Sequence, residues 1–455
     1  MRRVLIISPH FPPTHAPDHQ RVRMSLPYFR ENGWEPVVLA VDADRVEGTQ
    51  DPLLVRTLPS EVPVHRVSAV PARWSRLAGL GNLAYRSWFQ LRRQGDRLLA
   101  TGQFDLVYFS TTQFVATALG PRWQRRFGVP YVVDLQDPWR TDYYDRPGAP
   151  RPPGGWKYRF ARWQAARLEG PAWREAAGFV SVSPDYLGQL EARYPWFRGK
   201  PAAVIPFGAS ERDFALVASL PELAPAFVRE PGAVHLVSVG AVGPIMRPAL
   251  ERLFTGVQQL RAVEPSAAQR LRFHFIGTSY APAGQAQPSV LPLARAAGLG
   301  DLVREQTARV GYFTAIKTML AADALVILGS DDPAYTPSKL AACCLAARPT
   351  LALTPAGSAL DRMATELGFA TIARWPTSAG GDPVADFLRA LCSPDGRPRP
   401  AGADPGRLAA PHTARARTRQ QCELFDRALG SQTLTPPAPA TPEAAPRQTP
   451  TTPPS

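Results

Sequence analysis

A chain of 455 residues, 45% of them hydrophobic, is long enough for two or three domains with real cores. Lys and Arg number 52 against 38 Asp and Glu, a net charge of +14. That balance excludes an acidic disordered protein and favours an anionic partner, whether nucleotide, phospholipid surface or nucleic acid; a GC-rich coding sequence explains the Arg and Pro content equally well.

The first predicted strand is Val4–Ile7, a continuous apolar run of the kind buried on both faces of a parallel sheet. A Pro-rich loop, 8–18, follows, then a predicted helix over 19–32 stopped by Gly33 and a second strand over 36–41. Strands are also predicted over 105–110, 129–134, 177–182 and 202–206, with a helix over 112–127. After a Pro- and Ala-rich stretch the rhythm restarts, with strands over 234–239, 272–276, 324–328 and 350–353 and helices over 248–263 and 315–322. This is α/β architecture: two Rossmann-like, doubly wound domains facing each other across a cleft. The expected division is 1–215, a linker at 216–232, a second domain at 233–411, a helix at 412–429 and a disordered tail at 430–455, where eight Pro stand among Thr, Ala and Ser.

Four Cys, two of them adjacent at Cys343 and Cys344, make neither a disulfide framework nor a CxxC metal pattern, so reduced thiols and a cytoplasmic location are expected. The short apolar start is too brief for a signal segment, and no run approaches the ~18 apolar residues of a spanning helix. The loop after the first strand, Ser8-Pro9-His10-Phe11-Pro12-Pro13, has no Gly, which argues against a dinucleotide fingerprint, and a Walker loop is absent.

Five segments carry a resemblance. "LIISPHFPP…QRVR…LPYFRENGWEPVVLAV" resembles the opening of family-4 glycosyltransferases of the GT-B fold, surface-polysaccharide type. "VPYVVDLQDPW" (129–139), "FVSVSPDYLGQLEARYP…AVIPFGASERDF" (179–214), "VGYFTAIKTMLAADALVIL" (310–328) and "YTPSKLAACCLAARPTLAL" (335–353) follow that family in order and spacing. The resemblance implies transfer of a sugar, with retention, from a nucleotide-diphosphate donor on the C-terminal domain to a glycan or lipid-linked acceptor on the N-terminal domain. It implies no metal and no further cofactor.

The same resemblance assigns candidate residues. Thr336, Pro337, Ser338, Lys339 and Leu340 form the turn that would face the diphosphate, with Lys339 as a point charge and Ser338 as a hydroxyl. Arg247 is expected to neutralise the leaving pyrophosphate, whose charge grows in the transition state. Asp137, beyond the carboxyl end of a strand, is placed to hold an acceptor hydroxyl. His10, Arg21 and Arg23 follow the first strand and are expected to meet the acceptor, with the donor phosphates as the alternative for the two Arg, while His15 and His19 read as solvated loop residues.

One departure stands out. The family's two Glu, eight residues apart, fall at Ala334 and Ala342, so the carboxylate that normally binds the nucleotide ribose is missing. A non-catalytic GT-B scaffold or glycan-binding protein is therefore the rival reading, and donor binding separates the two. Segments 73–97 and 151–175 combine basic and aromatic residues in a way that suits peripheral binding to an anionic membrane surface. No nucleic-acid module is visible, so nucleic acid is not expected as a partner.

Overall fold

The computed structural model describes residues 1–73, 81–145, 152, 155–279, 281, 285–332, 335, 338–376, 382–393 and 409–432. The expected tail falls outside the described residues from 433 onward, as do Thr336, Pro337 and Ala334.

Among the described residues, thirteen parallel strands form two sheets. The first contains β1 (Arg2–Ile7), β2 (Trp34–Val41), β3 (Val64–Val67), β4 (Leu106–Ser110), β5 (Tyr131–Leu135), β6 (Gly178–Ser181) and β7 (Ala202–Val204), in the order β3-β2-β1-β4-β5-β6-β7. The second contains β8 (Val234–Val239), β9 (Leu271–Ile276), β10 (Val303–Gln306), β11 (Ala324–Leu328), β12 (Thr350–Pro355) and β13 (Thr371–Trp375), in the order β10-β9-β8-β11-β12-β13. Each order reverses beside its first strand, at β1/β4 and at β8/β11, and such reversals open a crevice at the carboxyl ends of the strands. This is the GT-B arrangement of two Rossmann-like domains.

The central strands are fully buried because both faces are covered. Leu5 and Ile7 face a cluster containing Trp123, Tyr131 and Trp173, whereas Val4 and Ile6 face a second cluster. That second cluster is closed by the C-terminal helix Ala414–Gln432, which returns to the first sheet. Its Phe425 ring lies 5.3 Å from that of Trp34 and 4.9 Å from that of Tyr108. Asp426 accepts hydrogen bonds from Trp34 Nε1 and Arg2. The crossing back is made at a bridge between Ala209 and Thr413, where a Cβ on Gly208 would approach three atoms of residues 412–417 at 3.1 Å.

Several elements differ from expectation. The helix predicted over 19–32 is a short helix, Gln20–Ser25, followed by 3₁₀ turns at Leu26–Tyr28 and Arg30–Asn32. Pro27, which has no N–H to continue the ladder, sits in the first of these turns, and Gly33 ends the run at φ +80°. The helix predicted over 112–127 likewise splits into a 3₁₀ turn, Phe114–Ala118, and a helix, Leu119–Phe127. Edge strands β3, β10 and β13 were not anticipated, because half-exposed edges lack a continuous apolar run.

Candidate active site in the interdomain cleft

The loops that follow β1, β4, β5, β8, β10 and β11 converge on a cavity of about 280 Å³ lined by both domains. A second cavity of about 710 Å³ adjoins it on the C-terminal domain, along the Gly240–Gly243 loop and Thr278 and Ser279. Gly240, Tyr335, Ser338 and Lys339 line both.

The C-terminal wall is cationic. Lys339 is half-buried, and burial together with the neighbouring Arg309 guanidinium lowers its ammonium to about 8, against a smaller opposing effect of Cys343. Its Nζ lies against the backbone of Gly240, where a Cβ would sit 3.3 Å away. Gly240 is at φ +131°, so the loop needs glycine both for its backbone and for the Lys339 approach. Arg309 lines the same cavity with its chain beside Gly277. It was missed at the sequence level; the available signal is that it stands just beyond the carboxyl end of β10, a strand that the apolar pattern does not reveal.

The N-terminal wall is polar and carries carboxyls. Asp137 lines the cavity and is exposed to it; the mass of protein around the cleft and the Asp18 carboxylate push it up to about 6. Asp18 is buried and accepts hydrogen bonds from His10 Nδ1 at 3.0 Å and from the Thr111 and Thr112 hydroxyls at 3.2 Å. Burial opposes its ionisation, but His10 first, then His19 and the Thr112 backbone N–H, hold it down at about 2. The same pairing raises His10 despite its burial. Gln136 Nε2 ties the Asp18 carbonyl to Asp134 and Ser110, fixing the floor between β4 and β5.

Asp137, Ser338 and Lys339 are thus placed on the cleft, and Leu340 is buried behind it in a helix of six residues. Five expectations need correcting. Arg247 lines neither cavity: it is 63% exposed and pairs with Glu251 at 2.7 Å on the outer face of its helix. Arg21 is buried, with Nε 2.9 Å from Asp134 and Nη2 donating to the Ile205 carbonyl at 2.7 Å. Its guanidinium lies 5.0 Å from the Phe207 ring, so it holds the Ile205–Gly208 turn rather than an acceptor. Arg23 is buried in a bidentate pair with Asp213, at 2.8 and 2.7 Å, and lies over Tyr312 at 4.7 Å. His10 serves Asp18, and His19 is not solvated: it is fully buried, and its Nε2 sits 2.7 Å from the Thr14 carbonyl.

Residues 19–208 match the family model described as "Glycosyl transferase 4-like domain". No curated protein matches the chain in sequence. Among solved structures, the N-terminal domain of Candida albicans trehalose-6-phosphate phosphatase aligns at TM-score 0.58 and 12% identity, over 94% of this chain and 97% of that one. WaaG, a glycosyltransferase involved in lipopolysaccharide biosynthesis, aligns at TM-score 0.50 and 14% identity, over 96% and 100%. A putative UDP-N-acetylglucosamine 2-epimerase from Listeria monocytogenes aligns at TM-score 0.50 and 10% identity, over 94% and 97%. At these identities the structural likeness speaks for the fold alone.

Proposed function

From the premise that the chain carries a glycosyl transferase 4-like domain over residues 19–208 within a GT-B architecture, we propose that it transfers a sugar from a nucleotide-diphosphate donor to a hydroxyl of a glycan or lipid-linked acceptor in surface polysaccharide synthesis. The observation that carries this reading is the asymmetry of the cleft. Arg309 and Lys339 offer positive charge on the C-terminal wall, and Asp137 faces them from the N-terminal wall. A departing diphosphate gains negative charge in the transition state, and fixed cations placed beside it favour that gain. Asp137, poised at about 6, is suited to accept a hydrogen bond from the incoming hydroxyl. The larger cavity along Gly240–Gly243 has room for the nucleoside.

The scaffold reading rests on the two missing Glu. Against it, Ala342 lines the open cavity rather than being packed shut, so the ribose position remains accessible. A thermal-shift screen of nucleotide sugars, followed by detection of released nucleoside diphosphate, tests the proposal. A stabilising donor that is then consumed in the presence of an acceptor supports transfer; no stabilisation by any nucleotide sugar supports the scaffold.

A membrane-surface site for lipid-linked acceptors belongs to the same proposal. Trp156, Phe160 and Trp163 recur along one stripe of the helix Trp156–Trp173 and are 69%, 44% and 55% exposed. Lys157, Arg159 and Arg167 are exposed beside them, and Asn82, at the start of the Leu83–Leu99 helix, shares a cavity with Tyr158 and Arg162. Part of the 73–97 segment, residues 74–80, lies outside the described residues, and its Arg86 is buried on the Val70 and Arg45 carbonyls. Among the described residues no helix is long and apolar enough to cross a membrane.

A further inference from the structure

We propose that His15 is the N-terminal domain's own contact to the donor diphosphate, closing with Arg309 and Lys339 a cationic pocket built from both domains. This rests on the reading of the cleft as a nucleotide-diphosphate site, and deepens it.

The placement of His15 is over-determined. Its backbone N–H donates to the Thr49 carbonyl at 2.8 Å, and Thr14 and Gln50 form an antiparallel bridge. Asp51 N–H donates to the Pro13 carbonyl at 2.7 Å, so the first loop is stitched to residues 49–51. Asp51 then accepts the Tyr312 N–H of the C-terminal domain at 2.9 Å. The loop that bears His15 is therefore held against the opposite domain, and the imidazole lines the cavity beside Arg309 and Lys339. His10 and His19 spend their rings on Asp18 and the Thr14 carbonyl; among the described residues the His15 ring has no hydrogen-bond partner. A half-buried imidazole without a structural partner among the described residues, lining the same cavity as two cations that act on it, is a poor arrangement for stability and a good one for an anion.

The electrostatics give the proposal a signature. The groups that act on His15 are Arg309 and Lys339 from the C-terminal domain and Asp51 and Arg23 from the N-terminal domain, with Asp18 and Asp137 on the same cavity wall. Burial first, then Arg309, Lys339 and Arg23, depress His15 to about 4 against the pull of Asp51, so it is neutral at pH 7 in the empty cleft. A diphosphate cancels the cations and adds negative charge, which favours imidazolium. Between about pH 4 and the raised midpoint, donor binding is then coupled to proton uptake at His15, and loss of the diphosphate returns the proton; above that window the neutral ring meets the phosphate as an N–H donor.

Histidine-selective NMR on the full chain reads this directly, using inorganic pyrophosphate and UDP as probes and His15→Gln to assign the resonance. The expected result is a His15 midpoint that rises by about one pH unit or more with either probe. His15→Gln should keep the wild-type melting temperature and bind pyrophosphate roughly tenfold more weakly, the loss of one charge-assisted hydrogen bond. If both probes bind with the His15 midpoint unmoved and His15→Gln binds as tightly as wild type, the His15 assignment is overturned and the donor reading stands. If neither pyrophosphate nor any nucleoside diphosphate binds wild type, both fall together.

Discussion

The Asp51 carboxylate of the N-terminal domain accepts a 2.9 Å hydrogen bond from the backbone N–H of Tyr312, at the start of the helix Tyr312–Ala321 in the C-terminal domain. One domain thereby caps a helix of the other. The same carboxylate accepts from its own Leu53 N–H at 3.1 Å. Gly311 fits this contact closely, since a Cβ there would lie 3.0 Å from Asp51 Oδ2. Asp51→Ala should cost about 0.5–2 kcal/mol, the range for a lost helix cap, and should increase the radius of gyration in solution scattering. An unchanged denaturation midpoint and unchanged scattering would show that the domains are held elsewhere.

Arg23 and Asp213 form the second joint. Both side chains are 1% exposed, and the guanidinium also donates to Thr57 and lies over Tyr312. Arg23→Met leaves a buried carboxylate without its charge partner, a loss of about 3–5 kcal/mol. Urea denaturation of Arg23→Met and of the double variant Arg23→Met/Asp213→Leu checks this. The double variant should recover much of the loss, and failure to recover would assign the cost to Tyr312 packing instead.

The pH dependence of anion binding follows from Lys339. Its ammonium is lowered to about 8, so it is charged below that pH and neutral above it. Pyrophosphate affinity, measured by calorimetry, should be steady from pH 6.5 to 7.5 and fall as pH rises through about 8. In Lys339→Met the fall should vanish along with much of the affinity. A wild-type affinity that is flat to pH 10 would remove Lys339 from the site.

The exposed aromatic stripe predicts binding to vesicles. Co-sedimentation should rise with the anionic lipid fraction and fall with added salt. Trp156→Ser with Trp163→Ser should weaken binding with no loss of thermal stability, because both rings are exposed. Equal binding to neutral and anionic vesicles, or none, would contradict the membrane part of the proposal.

How far the sequence reveals this molecule depends on burial. Strands β1, β4, β8 and β11 are covered on both faces, so their apolar runs mark them out directly. At the edges, "VREQ" of β10 buries only Val303 and carries no such mark, and with it Arg309 disappears from view. Lys339 is visible because it sits inside a motif; Arg21 and Arg23 are visible too, but their fates are not. Arg21 meets Asp134 from β5, and Arg23 meets Asp213, 190 residues away. Such partners become evident only once the chain is folded. The C-terminal helix shows its apolar face in sequence, yet only the structure reveals that Phe425 completes the core of the first domain.

The central claim is a nucleotide-diphosphate site on the C-terminal wall of the cleft, and the direct measurement is calorimetric titration of UDP, GDP and ADP into wild type, Arg309→Ala, Lys339→Ala and Arg247→Ala. The account predicts one site per chain for at least one nucleotide. Arg309→Ala and Lys339→Ala should each weaken it by about 1.5–3 kcal/mol, the range for hydrogen bonds to charged groups. Arg247→Ala should bind as wild type, because that side chain is engaged with Glu251 away from the cleft. Adding Ala342→Glu should tighten binding by restoring an acceptor for the ribose hydroxyls in an open cavity. No binding by wild type at millimolar nucleotide, with Ala342→Glu equally silent, would contradict the account and leave the non-catalytic scaffold in its place.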